Sequence, residues 1–353
     1  MRIVIKNGTV VFTNRTEQTD LLIDGAKIVK IDSIILEQAD KIVDATGKHV
    51  FFGAVDLGAY SAPGLCESAL SGGYRAVCAR PGAAVDAQTV RLFAEQTQEN
   101  SLCRVLTVAP SSAELLPVGR LQKEGVVMFC LGKDEQTAAA QVSYCNDFGA
   151  TACSEGQNET TLQEELRVAR DLALAENFRA KVHFSHVSTL RAVQSVKAAK
   201  NRGANVTCDV SVCDLLLPRR DAREAASISA AVMDGTVDCI ATNSFYPQKT
   251  VTGLKRGIGY LPYAFAAVYT HFVKTNKIDL PHLARLISGT PAKIAGLADV
   301  DLAEGAEASL FLADLNRSVA TPFGELFGVV EKTFVKGALK YNVSGGQQPQ
   351  EKD

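Results

Sequence analysis

The sequence predicts an α/β protein, a (β/α)8 TIM-like barrel with a small β-sandwich built from both ends of the chain. Three observations lead to this prediction. Hairpin-linked strands occupy residues 2–50, strands alternate with helices from about residue 51, and a strand pattern returns after Leu302. Alternating strands and helices indicate a parallel sheet or barrel, whereas strands joined by tight turns indicate an antiparallel layer.

The N-terminal segment is predicted to form short strands rather than part of a β/α repeat. Asn7-Gly8 and Asp24-Gly25 are dipeptides typical of tight hairpin turns. The predicted strands are Arg2–Lys6, Leu21–Ile23, Lys27–Ile31 and Lys41–Val43. Strands connected in this way favour a small β-sandwich.

The middle of the chain carries the barrel pattern. The eight candidate strands are Ala54–Gly58, Tyr74–Ala79, Cys103–Ala109, Val126–Cys130, Ala150–Cys153, Val182–Ser185, Asn205–Val210 and Val237–Thr242. The candidate helices are Asp86–Glu99, Gln136–Asn146, Leu162–Ala175, Leu190–Arg202 and Ala222–Met233. Thr161 and Glu164 predict a capping box on the third helix. The connection between the first two strands is short, so the first barrel helix is expected to be trimmed or missing.

The C-terminal part is predicted to end the barrel and complete the sandwich. Helices are expected at Leu261–Lys274 and Pro281–Leu297, and strands at Ser309–Ala313, Val329–Val335 and Lys340–Tyr341. The predicted domains are therefore a sandwich of residues 1–50 plus 303–343 and a barrel of residues 51–302. Residues 344–353 are polar and rich in Gln, which predicts a disordered tail.

Composition excludes several classes of function. The 353 residues are 46% hydrophobic and 22% charged, as in an ordinary globular protein, and the net charge of −2 argues against nucleic-acid binding. There is no apolar run near 20 residues, so no membrane span is expected. Nine scattered cysteines fit a reducing compartment, and the N-terminus reads as a strand and not as a signal peptide. A cytoplasmic location is expected.

The stretch Lys181–Thr189 is the first candidate site. His183 and His186 lie where a predicted strand ends before a helix, which is the position of catalytic residues in β/α barrels. Either imidazole is a suitable zinc ligand, whereas a lone histidine here more often only forms a hydrogen bond within a loop. A zinc site is favoured only if other parts of the chain supply further ligands.

Several segments resemble the amidohydrolase superfamily, and dihydroorotase in particular. The similar segments are Gly47–Asp56, Phe184–Thr189, Val206–Ser211 with Leu215–Leu217, Cys239–Asn243, Ser288–Leu297, Glu304–Leu310 and Thr321–Gly337. The resemblance runs in consistent order from residue 1 to about residue 343. It implies a barrel with a sandwich, and one or two zinc ions that help to open or close a cyclic amide.

Most metal-ligand positions implied by this resemblance are changed. The first-strand pattern Asp-x-His-x-His is replaced by residues 56–60, so Gly58 and Tyr60 stand at the two histidine positions. Asn243 stands at the catalytic aspartate, and a carboxamide does not accept a proton at neutral pH. The fifth strand has Cys153 at a ligand position, and the sixth keeps His186, so these two residues are vestigial ligands.

The fourth strand and the substrate positions also differ from the family pattern. The fourth strand has no matching carboxylate, although Lys133 and Asp134 lie nearby in the sequence. The substrate-binding arginine, asparagine and histidine fall at Ala62, Gly82 and Pro247. Arg80 is a weak replacement for the lost arginine, because an arginine here is expected to be exposed and solvated.

The leading hypothesis is a dihydroorotase-like protein that has lost zinc and catalysis. The resemblance implies its role, because inactive dihydroorotases serve as structural subunits of some aspartate transcarbamoylases. A homo- or hetero-oligomer is expected, with no cofactor and with neither nucleic acid nor membrane as a partner. The Arg219–Arg223 segment is predicted to be a solvent-exposed charged turn, which would also be able to contact an acidic partner.

Two other readings stay open. One is a zinc-dependent cyclic amide hydrolase with a rebuilt Cys/His site, in which Cys153 and His186 are joined by one further ligand. The candidates for that ligand are Cys208, Cys213 and Glu155, and the candidate general bases are Asp209 and Asp214. The other is a metal-free binding protein whose cavity is lined by Tyr60, Phe245 and Tyr246. For these aromatics we favour a plug of core packing over a ligand site.

Overall fold

The computed structural model describes residues 1–61, 63–81, 87–98, 102–112, 115–156, 159–216, 220–243 and 260–343. The predicted tail lies outside the described residues, as do Ala62, Gly82, Arg219, Phe245, Tyr246 and Pro247. Among the described residues, no helix combines the length and apolarity needed to cross a bilayer.

The chain begins with seven short strands. They are β1 (Arg2–Lys6), β2 (Thr9–Val11), β3 (Thr16–Gln18), β4 (Asp20–Asp24), β5 (Lys27–Asp32), β6 (Lys41–Asp44) and β7 (His49–Phe52). The hairpin predicted at Asp24-Gly25 is confirmed, because β4 and β5 pair in antiparallel register around it. The hairpin predicted at Asn7-Gly8 is wrong. There the chain leaves the sheet of β1 and enters the sheet of β2, with Asn7 at φ 64°.

Eight parallel strands then form the barrel. They are β8 (Ala54–Tyr60), β9 (Tyr74–Arg80), β10 (Arg104–Ala109), β11 (Val126–Cys130), β12 (Thr151–Glu155), β13 (Val182–Ser185), β14 (Val206–Ser211) and β15 (Cys239–Ala241). They follow one another in sequence order across the sheet. The first and last strands meet through the Asp56 carboxylate, which accepts bonds of 2.8 and 2.6 Å from the amide and hydroxyl of Thr242. The predicted (β/α)8 barrel is confirmed.

The barrel helices are α1 (Leu65–Ser71), α2 (Ala87–Gln98), α3 (Val118–Lys123), α4 (Glu135–Asp147), α5 (Thr161–Phe178), α6 (Leu190–Asn201), α7 (Val212–Leu216) and α8 (Ala222–Met233). The five predicted barrel helices are present to within a few residues, as α2, α4, α5, α6 and α8, whereas the short helices α3 and α7 were not predicted. Helix α1 has only seven residues, as the short connection predicted. The capping box on α5 is formed by Thr160 and Gln163, one residue earlier than predicted, because the Thr160 hydroxyl accepts from the Gln163 amide.

The C-terminal part adds short helices and then three strands that all join one sandwich sheet. Helix α9 (Leu261–Val268) continues as a π-helical segment (Tyr269–Val273); α10 (Leu280–Ala284) and a second π-helical segment (Arg285–Gly289) precede α11 (Thr290–Ile294). Strands β16 (Leu310–Thr321), β17 (Gly324–Val335) and β18 (Ala338–Asn342) follow. The β16–β17 hairpin is longer than predicted, because a register shift after Asp314 hides the alternation of its outer half.

Both chain ends contribute to the sandwich sheets. One sheet has the order β5-β4-β1-β6 and the other β18-β17-β16-β7-β2-β3. Phe51 of β7 stacks on Phe311 of β16 and meets Phe265 of α9 edge to face, with both centroid distances 5.1 Å. These aromatics join the sandwich to the barrel. We retain residues 1–50 plus 303–343, and 51–302, as the proposed domain limits.

The barrel interior is apolar except at its carboxyl end. Small and branched side chains fill the interior, and α11 closes the lower end; the cluster comprises Val55, Leu57, Ala76, Cys78, Leu106, Val108, Met128, Cys130, Cys153, Cys239, Ala241, Ala292, Ile294, Ala295 and Leu297. The charged and polar side chains of the interior collect above this layer, where the strands end. This is the end at which β/α barrels carry their chemistry.

Candidate functional site

His186 lies immediately after β13 and turns its imidazole into the barrel mouth. Its backbone has φ 58°, and its amide and Nδ1 both contact Oδ1 of Asp209, at 2.8 and 3.0 Å. The ring fills the space beside Gly58, since a Cβ added there would lie 2.6 Å from His186 Cε1 and 3.1 Å from Nε2. The position at which the family pattern has a histidine is thus filled by His186 from across the barrel.

Asp209 on β14 holds both histidines of the candidate stretch. Its second oxygen lies 2.9 Å from His183 Nε2, and His183 Nδ1 lies 2.9 Å from Thr207 Oγ1. Burial raises the pKa of Asp209, but the attraction of His186 and the bonds from both imidazoles outweigh it and hold that pKa well below its usual range. Burial lowers the pKa of His186, yet Asp209 reverses this and raises it above the ordinary value. Asp209 therefore serves as a fixed counter-charge and not as a free general base.

Arg80 and Glu155 form a buried ion pair in the same mouth. Arg80 is 2% exposed, and its Nε lies 2.7 Å from Glu155 Oε2. The Tyr60 hydroxyl donates to the other Glu155 oxygen at 3.2 Å. Burial raises the pKa of Glu155, but Arg80 and the other partners outweigh it and the net pKa is lowered. The expectation of an exposed Arg80 is wrong, because its side chain points inward from the end of β9 toward a carboxylate on β12.

Tyr60 is a hydrogen-bond donor at this position rather than a metal ligand. Burial raises the pKa of its phenol, and the neighbouring Glu155 carboxylate raises it further. The phenol therefore stays protonated at neutral pH, as its donation to Glu155 requires. Arg80 lies 5.7 Å from the centre of the Tyr60 ring.

Two cysteines lie directly below this ion pair. Cys130 and Cys153 are partners in the register of β11 and β12. Cys130 donates to Glu155 at 3.5 Å, and Cys153 lies 3.9 Å from Arg80 Nη2 and 3.3 Å from the Ser185 hydroxyl. The hydrogen bond from Cys130 lowers the pKa of Cys153 to about 6 against the effect of burial, with Arg80 acting in the same direction. Cys130 was not identified from the sequence as a site residue, and its place at the end of a predicted barrel strand was the available signal.

Two groups among the described residues bring three potential metal ligands together. They are Cys130, Cys153, Glu155 and His183, Asp209, Cys239, with the ligand atoms of each group within 4.8 Å of one another. In the first group Arg80 already bonds Glu155. In the second the Asp209 oxygen is bonded by His183, and burial raises the pKa of Cys239 well above its usual value, so this thiol stays protonated. Neither group, as arranged here, fits a divalent metal ion.

The rebuilt ligand set expected from the sequence is not brought together as a whole. Cys153 and Glu155 meet, but His186 belongs to neither group. Cys208 faces away from the barrel axis and donates to the carbonyl of Thr236 at 3.4 Å, and Cys213 contacts the Tyr260 hydroxyl at 3.5 Å. The alternation of side chains along β14 explains this, because Asp209 points inward and its neighbour Cys208 must point outward.

Other candidate residues have structural roles. Asp134 caps α4 by accepting from the amide of Thr137 at 2.8 Å. Arg220 is not a solvated residue, since it bonds Glu164 and the Ser188 hydroxyl at 3.0 and 3.1 Å. Asp214 lies on α7 and lines a small cavity beside Arg220.

Asn243 follows β15 in a left-handed conformation, φ 50°, at the position of the family's aspartate. Its Oδ1, like Nε2 of His186, is buried without a hydrogen-bond partner within the described residues. A carboxamide oxygen is a weak acceptor compared with a carboxylate. The mouth therefore has no carboxylate at the position of the family's general base.

Comparison with known proteins establishes the family. No protein-family model matches the sequence. The dihydroorotase of Lactobacillus helveticus (strain DPC 4571) is 30% identical, and the alignment covers 97% of this chain and 99% of that protein. The dihydroorotase of Thermoanaerobacter sp. (strain X514) is 28% identical, with 97% of each protein covered. The first alignment extends over 424 positions, more than the 353 residues of this chain, so the relative contains segments that this chain lacks.

Solved structures agree on the fold. The D-hydantoinase (dihydropyrimidinase) from Thermus sp. superposes with a TM-score of 0.87 at 19% identity, covering 96% of this chain and 95% of that one. The dihydropyrimidinase from Brevibacillus agri NCHU1002 gives 0.84 at 19% identity, covering 97% and 96%. These similarities support the barrel-and-sandwich architecture. With a relative 30% identical over nearly the full length of both proteins, this chain belongs to the dihydroorotase family.

Proposed function

We propose that this chain is a non-catalytic member of the dihydroorotase family that has lost its zinc site. In this proposal it acts in pyrimidine biosynthesis as a cytoplasmic structural partner of aspartate transcarbamoylase, in a homo- or hetero-oligomer. The observation that supports the loss of zinc most directly is the contact between Gly58 and His186. One ligand position has no side chain, and the remaining histidine occupies its space.

The chemistry of the remaining side chains supports the loss of catalysis. A dihydroorotase needs a metal-activated water and a carboxylate base. Asn243 replaces the base, and the Tyr60 hydroxyl donates a hydrogen bond to Glu155. The carboxylates of Glu155 and Asp209 are already paired with cationic or imidazole partners. Neither of these two carboxylates is therefore free to activate water at the former metal centre.

The same pairing supports retention of the fold without metal. Removing a metal from a buried site leaves uncompensated ligand charges, and each unpaired buried charge destabilises the fold strongly. Here Arg80 neutralises Glu155, and His186 and His183 surround Asp209. Because its buried charges are paired, the barrel can remain folded without metal, and its surface can bind another protein.

The partner claim is tested with the aspartate transcarbamoylase of the same organism. The two purified proteins are mixed at micromolar concentration and followed by sedimentation velocity, with the organism's ornithine transcarbamoylase as the specificity control. We expect a stoichiometric complex with the former enzyme only. Absence of a complex at micromolar concentration contradicts the partnership.

A second candidate is a zinc-dependent hydrolase of cyclic amides with a rebuilt site. The proximity of Cys130, Cys153 and Glu155 favours it, because thiolates and carboxylates are good zinc ligands. This candidate predicts bound zinc together with hydrolysis of dihydroorotate, dihydrouracil or hydantoin. Both properties must disappear in Cys153→Ala or His186→Ala; an inactive, zinc-free wild type excludes it.

A further inference from the structure

The positive charge in the barrel mouth is supplied by a side chain of the protein, Arg80. Arg80 places its guanidinium between Glu155, which it contacts at 2.7 Å, and the sulfur of Cys153, at 3.9 Å. Its Nη1 also lies 3.4 Å from the carbonyl oxygen of Leu57. Each of these partners is an electron-rich atom.

The atoms around this guanidinium form a ligand set for a soft divalent metal. The sulfurs of Cys130 and Cys153 and a carboxylate oxygen of Glu155 lie within 4.8 Å of one another. Two thiolates and a carboxylate suit zinc and cadmium.

Arg80 and a metal ion compete for the same partners. An arginine side chain remains charged in proteins, so it cannot make way for a dication by losing its proton. A dication among these ligands would meet a buried positive charge at short range, and that repulsion is strong where water is excluded. Arg80 would also have to give up its bond to Glu155.

We propose that Arg80 is the resident cation of the barrel mouth, replacing a divalent metal among Cys130, Cys153 and Glu155 and excluding it from them. This inference rests on the proposed loss of the family's zinc and adds a specific device that maintains it. According to this inference, Cys130, Cys153 and Glu155 are able to bind a thiophilic metal ion only when Arg80 is removed.

The test uses full-length protein and cadmium chloride as the probe. Four forms are compared: the wild type, Arg80→Met, Arg80→Lys as the variant that keeps a cation, and Arg80→Met combined with Cys153→Ser. The readouts are bound cadmium after desalting, the ultraviolet thiolate-to-cadmium charge-transfer band, and the change in Tm on adding cadmium.

We expect Arg80→Met alone to bind about one equivalent of cadmium, to show the charge-transfer band and to gain Tm. The wild type, Arg80→Lys and the double variant should show none of these changes. If Arg80→Met is unfolded without metal, cadmium must restore its fold, because a divalent cation then supplies the missing charge.

Three outcomes overturn the inference. If Arg80→Met neither binds cadmium nor regains its fold with cadmium, removal of Arg80 does not create a metal site. Equal cadmium binding by Arg80→Met and the Cys153→Ser double variant places the metal elsewhere. Metal held by Cys153 in the wild type overturns this inference and the proposed loss of zinc together, whereas failure of the Arg80→Met variant alone leaves the proposed function standing.

Discussion

The imidazole of His186 packs directly against Gly58, with only a hydrogen on the opposing Cα to accommodate it. A Cβ at this position would approach Cε1 to 2.6 Å, well inside any ordinary contact. His186 cannot retreat freely, because its amide and Nδ1 are both bonded to Asp209. The absence of a side chain at residue 58 and the position of the imidazole therefore depend on one another.

Gly58→Ala is expected to destabilise the protein by about 1–3 kcal/mol through overpacking. Urea unfolding measures the loss. In a His186→Ala background the two contacts with the imidazole are removed and only the 3.3 Å approach to Ala241 Cβ remains, so the same substitution should cost clearly less. An equal cost in both backgrounds would contradict the packing relationship.

Glu155→Gln is expected to cost about 3–5 kcal/mol, because it leaves the buried Arg80 without its counter-charge. The matched control is Asp24→Asn, which breaks an ion pair between Arg2 and Asp24 whose side chains are 53% and 40% exposed. The control should cost far less, because water screens an exposed ion pair. Similar costs for both substitutions would show that Arg80 is not held as described.

The His186–Asp209 pair should set a pH window of stability. The lowered pKa of Asp209 contributes stability above its unfolded pKa, about 3.9, and this is lost as pH falls through the folded pKa. The raised pKa of His186 contributes stability below its unfolded pKa, about 6.5, which is lost as pH rises through the folded pKa. The contribution of the pair is therefore largest between about pH 4 and 6.5.

The variant that tests this window is His186→Gln. Its unfolding free energy should fall less than that of the wild type between about pH 6.5 and 8.5. His282→Gln is the control. Burial lowers the pKa of His282, so its contribution is lost toward acid and should leave the alkaline slope unchanged. Parallel alkaline slopes for the wild type and His186→Gln would contradict the raised pKa.

Thr242→Val tests the contact that links the first and last barrel strands. It removes the 2.6 Å bond from the Thr242 hydroxyl to the buried carboxylate of Asp56 while keeping the side-chain shape. We expect a loss of about 1–3 kcal/mol in thermal or urea unfolding. Thr275→Val, which removes an exposed hydroxyl bonded to the carbonyl of His271, should change stability far less. No difference between the two variants would exclude a special role for this contact.

The barrel was predictable because its strands are local apolar runs, most of which are followed by a helical pattern. Asn243 was identified as an altered position because it ends a segment that resembles the family, and Gly58 and Tyr60 because they directly follow another such segment, Gly47–Asp56. Whether each side chain points into or out of the barrel was harder to predict from the sequence. Cys208 was a candidate ligand until the inward orientation of its neighbour Asp209 placed it on the outer face of β14.

The Arg80–Glu155 pair could not be predicted from either residue alone. The two are 75 positions apart, and only closure of the barrel brings their side chains together. An arginine with no visible partner is expected at the surface, which is why its burial was missed. The helix cap was assigned to Thr161 and not to Thr160 because the two adjacent threonines carry the same hydroxyl group. Thr160 is the cap because it forms reciprocal hydrogen bonds with Gln163.

The most direct test of the proposed function is the metal content of the purified wild-type protein, measured by elemental analysis after growth with zinc supplied. We predict less than about 0.1 equivalent of any divalent metal, with no hydrolysis of dihydroorotate by the same sample. A full equivalent of zinc that disappears in Cys153→Ala or His186→Ala would contradict this prediction and favour the rebuilt hydrolase.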